Sequence, residues 1–176
     1  MGIHGTMLNH STMHSVIVPV YNEEETIELF YDRITPVLRS ISDQYEIIFV
    51  NDGSTDDSLS LLRGIVAKDP KVVAVSFSRN FGHQIAVSAG IDHARGHAVI
   101  VIDGDLQDPP ELIPEMLAKW KEGYQVVYAQ RKRRKGESLF KKITAFAFYR
   151  TLRAMTSTDI PLDTGDFRLM DRSVVE

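Results

Sequence analysis

No cysteine occurs among the 176 residues, so the chain can form neither a disulfide nor a thiolate metal site, which fits a reducing compartment. No apolar run approaches the ~18–20 residues needed to cross a bilayer. The first residues, MGIHGTMLNHSTMHS, lack the continuous apolar core of a secretory signal. Two nucleotide-binding signatures are missing: no G-x-G-x-x-G follows a strand, and no G-x-x-x-x-G-K-[ST] occurs, which removes most support for dinucleotide and P-loop readings. There is no internal repeat and no low-complexity tract. A net charge of -4 provides no bulk attraction to nucleic acid or anionic lipid, so any such attraction has to come from a local patch.

What is present is an ordinary globular balance, 43% hydrophobic and 25% charged, in a chain long enough for one domain with a sizeable core. Residues 1–14 read as a leader or expression scar, and a metal-binding reading of His4, His10 and His14 is the weaker one. The end, Ser173-Val174-Val175-Glu176, has no evident cap, so the chain is expected to be a fragment. Between them, strands and helices alternate. Strands are expected at Val16–Val20, Tyr45–Val50, Val72–Phe77, Ala98–Ile102 and Val126–Ala129. Helices are expected at Glu23–Ile41, where Pro36 should bend or divide the helix, at Asp56–Lys68, at Gly82–Arg95, and at Pro109–Glu122 with proline in the first turn. Short, near-continuous apolar strands mark a sheet buried on both faces, with helices as crossovers. The expected fold is an α/β/α three-layer sandwich with a mainly parallel central sheet.

Ligands of open α/β sheets bind outside the carboxyl ends of the strands, and polar residues collect at those ends here. Pro19-Val20-Tyr21-Asn22-Glu23 follows the first strand, Asn51-Asp52-Gly53-Ser54 the second, Ser78-Arg79-Asn80-Phe81-Gly82 the third and Asp103-Gly104-Asp105-Leu106-Gln107 the fourth. Each alone is compatible with turn chemistry, and Asp56 and Asp108 read as helix caps. Asp103 and Asp105, at i and i+2, can converge where the backbone leaves the pleat, with Gly104 permitting the dihedrals this needs. Oxygen-only donors of this kind suit Mg²⁺ or Mn²⁺, whose shell is completed by phosphate oxygens and water, with Gln107 adding a carbonyl oxygen.

The last 46 residues change character. Arg131-Lys132-Arg133-Arg134-Lys135 is followed by SLFKKITAFAFYRTLRAMT, whose helical spacing gives an apolar face with basic flanks. One reading is a core-facing helix beside a solvated charge run. The other is a helix lying in a membrane interface, held by apolar burial and anionic headgroups. A nucleic-acid role for the basic run has no accompanying nucleic-acid fold.

The segments VIVPVYNEEETI, VNDGSTDDS, SRNFGHQIAVSAGIDHARG, VIDGDLQDPPE and DTGDFRLMDRSVVE, in that order, resemble family-2 glycosyltransferases of the GT-A fold, specifically the polyprenyl-phosphate group that includes bactoprenol glucosyltransferases and dolichol-phosphate mannose synthases. The last motif is most similar to the bactoprenol branch. The resemblance implies a core over 15–136 and an interface helix with an acceptor-side motif over 137–176, followed in relatives by transmembrane helices. It implies an inverting hexosyl transfer from a nucleoside diphosphate sugar, UDP-glucose first and GDP-mannose as the alternative, to a polyprenyl phosphate at the cytoplasmic face of the membrane. A nucleotide-sugar-binding module without turnover is the other alternative, and self-association stays open. By position, Pro19, Tyr21, Asn22 and Glu23 would line the nucleotide pocket and Asp52 would meet the base. Asp103 and Asp105 would hold metal and diphosphate with Gln107, while Arg131 and Arg168 would meet phosphates. Asp166 matches a proposed catalytic base, although an Asp–Arg pair with Arg168 is as good a reading.

Overall fold

The structure, a computed structural model, describes residues 13–130 and 164–176. Six strands form one sheet in the order β3-β2-β1-β4-β6-β5. They are β1 (His14–Val20), β2 (Tyr45–Asn51), β3 (Val72–Ser76), β4 (Ala98–Val101), β5 (Val126–Gln130) and β6 (Thr164–Asp171). β1 pairs in parallel with β2 and β4, and β2 with β3. β6 runs antiparallel to both of its neighbours, β4 and β5.

The strands are buried on both faces, as their continuous apolar runs require. Val16, Val18, Ile47, Phe49 and Ile100 point into one core layer with Phe30, Ile34 and Leu38 of α1 (Ile27–Ile41), Leu62 and Ile65 of α2 (Ser58–Lys68), and Ile113 and Leu117 of α4 (Ile113–Lys121). Ile17, Ile48, Val50, Val99 and Val101 point the other way, onto Ala86 and Val87 of α3 (His83–His93). A short α5 (Arg172–Val175) closes the described chain on that second layer. α3 approaches β1 closely because residue 90 is glycine: a Cβ there would stand 2.3 Å from Ile17 Cγ2.

Several elements differ from expectation. α1 begins at Ile27, since Glu23–Thr26 forms a turn in which the amides of Thr26 and Ile27 both donate to the Glu23 carbonyl. Pro36 neither ends nor divides α1. It lies on the exposed face with Asp32, whose carbonyl loses an intrahelical donor but stays open to water. The helix expected from Pro109 starts as a 3-10 turn at Pro110–Leu112 before α4, and no side chain caps either start. Asp108, read as that cap, is buried instead. Two consecutive prolines remove amides that a capping carboxylate would have bound. Asp56, also read as a cap, stands one residue before the cap position of α2, which is Asp57, and accepts the Ser58 amide at 3.0 Å. β6 has no counterpart among the expected strands.

The amino edge of the sheet is locked by a buried acid. Glu46, 2% exposed, accepts from Ser15 Oγ (2.7 Å), from the Arg95 amide (2.8 Å) and from the Arg95 guanidinium (2.9 and 3.1 Å), while Ser15 Oγ accepts the Gly96 amide at 2.7 Å. This ties the turn between α3 and β4 to β1 and β2. Beside it, buried His14 stands edge-on to Trp120, whose Nε1 donates to Asp171 at 2.7 Å.

Candidate active site

Parallel β1, β2 and β4 end at one edge, so the loops that follow them share a single cleft of about 360 Å³. Pro19, Tyr21, Glu23, Asp52, Asp103 and Asp105 line it, with Asn80, Gly82 and His83 from the connection between β3 and α3. β6 reaches the same edge from the opposite direction. Its antiparallel register pairs Val101 with Arg168, and two residues further on sets Asp103 across from Asp166.

The connecting loops are held by side chains read above as ligand contacts. Asn22 adopts φ 54 and its Oδ1 accepts the Thr55 amide at 2.8 Å, while the Asn22 amide donates to Ser54 Oγ at 2.9 Å. Its carboxamide therefore clasps the β1–α1 loop to the β2–α2 loop, outside the lining of the main cleft. Glu23 accepts Thr26 Oγ1 at 2.7 Å. Asp52, 3% exposed, accepts the amides of Phe81 (2.7 Å) and Gly82 (2.9 Å), fixing the entry to α3. The loops are in near-contact as well: Gly53, at φ 66, leaves no room for a Cβ, which would meet Arg79 C at 2.2 Å.

Gly104 does not supply the unusual dihedrals expected of it, having no left-handed φ. That conformation falls on Leu106, at φ 63, an uncommon one for a leucine. Gly104 is instead buried against Val18, whose Cγ1 would lie 3.3 Å from an added Cβ. The turn lets Asp105 Oδ1 accept the Gln107 amide at 3.0 Å, and Gln107 itself is exposed. Arg131, the basic run and the segment from Ser138 to Thr156 lie outside the described residues.

The centre of the cleft is Asp103. Burial pushes its carboxyl above the usual carboxylate range; nearby His83 opposes this, and Asp166, Asp105 and Asp108 add to the rise. Asp166 is engaged on both oxygens. Its Oδ2 is 3.2 Å from His83 Nε2 and its Oδ1 is 3.4 Å from Arg168 Nη1. His83 Nε2 is also 3.9 Å from Asp103 Oδ1. That nitrogen is enclosed yet makes no well-formed hydrogen bond. These features fit a divalent cation: a half-buried carboxylate disfavoured by its acidic neighbours, and an imidazole nitrogen in a group of three whose ligand atoms lie within 4.8 Å of one another.

His83 was not among the candidates from sequence. The polar run after β3, read as far as Gly82, stops one residue short of it, and no local pattern marks a first-turn histidine as a partner of residues 103 and 166.

A mostly parallel sheet with acidic side chains from several strand ends in one open cleft has its polar cluster where open α/β domains bind ligands. The chain belongs to glycosyl transferase family 2, whose profile matches residues 15–176. It is 57% identical over 169 residues to the uncharacterized glycosyltransferase YkcC of Bacillus subtilis, covering 96% of this chain and 52% of that protein. It is 45% identical over 162 residues to the bactoprenol glucosyl transferase of Shigella phage SfV, covering 92% and 53%. The chain thus spans about half the length of these relatives. Among solved structures it is similar to glucosyl-3-phosphoglycerate synthase from Mycobacterium tuberculosis in complex with uridine diphosphate, with TM-score 0.65 and 25% identity over 93% of this chain and 58% of that one. The fold is GT-A, as the sequence motifs imply, with β6 as the antiparallel member of the sheet.

Proposed function

We propose that the chain is the catalytic domain of an inverting glycosyltransferase that moves a hexose from a nucleoside diphosphate sugar to a polyprenyl phosphate at the cytoplasmic membrane surface. Glucose from UDP-glucose is the leading donor, with GDP-mannose second. The observation that carries the reading is the meeting of Asp103 and Asp105 with Asp166 of β6 at the carboxyl edge of the sheet. The 45% identity to a bactoprenol glucosyl transferase, running through these same motifs, supports the acceptor class and the donor.

On this reading Pro19, Tyr21 and Glu23 border the nucleotide, and Asp52 meets the base with lone pairs not used by the amides of Phe81 and Gly82. Asp103, Asp105 and Gln107 hold Mg²⁺ or Mn²⁺ and the diphosphate. When bound, the cation neutralises charge developing on the nucleoside diphosphate leaving group. Arg168, and Arg131 beyond the described residues, face phosphate oxygens and add electrostatic stabilisation. The nucleophile is a phosphate oxygen whose second pKa is about 6, so it is largely ionised at neutral pH and needs little deprotonation. Asp166, held between His83 and Arg168, is therefore not needed as a base. The basic run 131–135 and the amphipathic segment after it bring the cleft to a surface where a polyprenyl phosphate is presented.

The test is a donor screen with undecaprenyl phosphate and Mg²⁺ or Mn²⁺, scoring lipid-linked sugar. Transfer from one UDP- or GDP-sugar, abolished by Asp105→Ala, is the expected result. No lipid-linked product from any donor, or full activity in Asp105→Ala, overturns the reading.

A further inference from the structure

We propose that His83, through Nε2, is a ligand of the divalent cation together with Asp103 and Asp166, giving the site a nitrogen donor and a preference for Mn²⁺ or Co²⁺ over Mg²⁺. This rests on the metal-dependent transfer proposed above and goes further by naming a ligand and an ion preference.

The donor spacings have the right scale. On a six-coordinate cation with bonds near 2.1 Å, adjacent donors are about 3 Å apart and opposite donors about 4.2 Å. His83 Nε2 stands 3.2 Å from Asp166 Oδ2 and 3.9 Å from Asp103 Oδ1, and the three ligand atoms lie within 4.8 Å of one another. Nε2 is shielded from solvent without a well-formed hydrogen bond, although the His83 side chain as a whole is 39% exposed. The donors come from three separated places: the first turn of α3, the end of β4 and the start of β6. Each is fixed by its own restraint. Asp52 holds the Gly82 amide next to His83, and the β4–β6 register sets Asp103 across from Asp166. A site assembled this way requires little rearrangement on binding. Mg²⁺ favours an all-oxygen shell, whereas imidazole strengthens binding of later divalent metals more than of magnesium.

The experiment titrates Mn²⁺ and, separately, Mg²⁺ into the purified chain with UDP present, and records pulsed electron paramagnetic resonance of the bound Mn²⁺. The expected result is a nitrogen hyperfine coupling in the wild type that disappears in both His83→Ala and His83→Gln. The same variants should bind Mn²⁺ at least tenfold more weakly while Mg²⁺ affinity changes less than threefold, with melting temperatures that show they remain folded. Bound Mn²⁺ without nitrogen coupling, or unchanged Mn²⁺ affinity in His83→Ala, overturns the assignment and leaves the transferase reading standing. Failure of the wild type to bind any Mn²⁺ with either UDP or GDP overturns both this assignment and the metal-dependent part of that reading.

Discussion

Replacing Asp52 by alanine should cost stability as well as donor binding, because its carboxylate is already at work in the unliganded fold. It is 3% exposed and accepts two backbone amides, at 2.7 and 2.9 Å, from the loop that begins α3. Hydrogen bonds to a charged acceptor contribute about 1.5–3 kcal/mol each. Phe81 and Gly82 are partly exposed, so water can return to their amides once the carboxylate is gone, and the lower figure applies. Two bonds at that value give a loss of about 3 kcal/mol. For a chain of this size one kcal/mol corresponds to about 2–4 °C, so the melting temperature should fall by about 6–12 °C. Asparagine should not rescue it, since one oxygen becomes an amide donor facing another donor. Amide hydrogen exchange provides the local measurement: Phe81 and Gly82 should lose protection in Asp52→Ala, while amides of the Ser15–Glu46–Arg95 lock should not. A variant melting within about 2 °C of wild type, with those two amides still protected, would refute the claim that Asp52 holds the loop.

Three further outcomes follow from the same structure. Burial and acidic neighbours raise the Asp103 carboxyl, so in the cation-free protein its stability contribution is lost as pH rises above the ordinary value of 3.8; Asp103→Asn should melt higher than wild type at pH 8 but not at pH 4, and a pH-independent difference counts against this. His14 is lowered from 6.5 mainly by burial, with Lys121 and His97 adding to it, so the unfolded chain binds its proton more readily and stability should fall as pH drops through 6.5; His14→Phe should flatten that acid slope in melting curves. Glu46→Ala should cost about 3–5 kcal/mol by leaving Ser15 and the Arg95 amide without their acceptor, yet retain UDP affinity in calorimetry below its lowered melting point, since Glu46 lies at the far edge of the sheet.

The parallel half of the fold was legible in the chain because both of its faces are buried. Runs such as Val16–Val20 and Ile47–Val50 are apolar throughout, and such runs rarely mean anything but an interior strand. β6 escaped because it carries Asp166 and Arg168 between Phe167 and Leu169. Its alternation is clear once the strand is placed: Phe167 and Leu169 enter one core layer while Asp166 and Arg168 stay partly exposed. The site was legible wherever a residue sits at a strand end, as with Asp52, Asp103 and Asp105. Asn22 was identified as part of the edge, but its clasp onto Thr55 depends on a contact between two loops that no local pattern specifies. His83 is of the same kind, adjacent to Asp103 and Asp166 only through the packing of α3 on the sheet.

The placement of β6 also bears on how the molecule is completed. β1 to β3 pair through connections shorter than forty residues and β4 returns to β1 across residues 21–97, whereas β5 meets the sheet only through β6, after residues 131–163 have intervened. Closing that interval costs about 3 kcal/mol of chain entropy before any pairing repays it. A chain in which β6 has not paired would possess β1 to β4 and its Asp103–Asp105 turn but no completed cleft, because Asp166 enters the site only with that strand. Turnover would then require β6 to be in place, which makes activity a report on the docking of that strand.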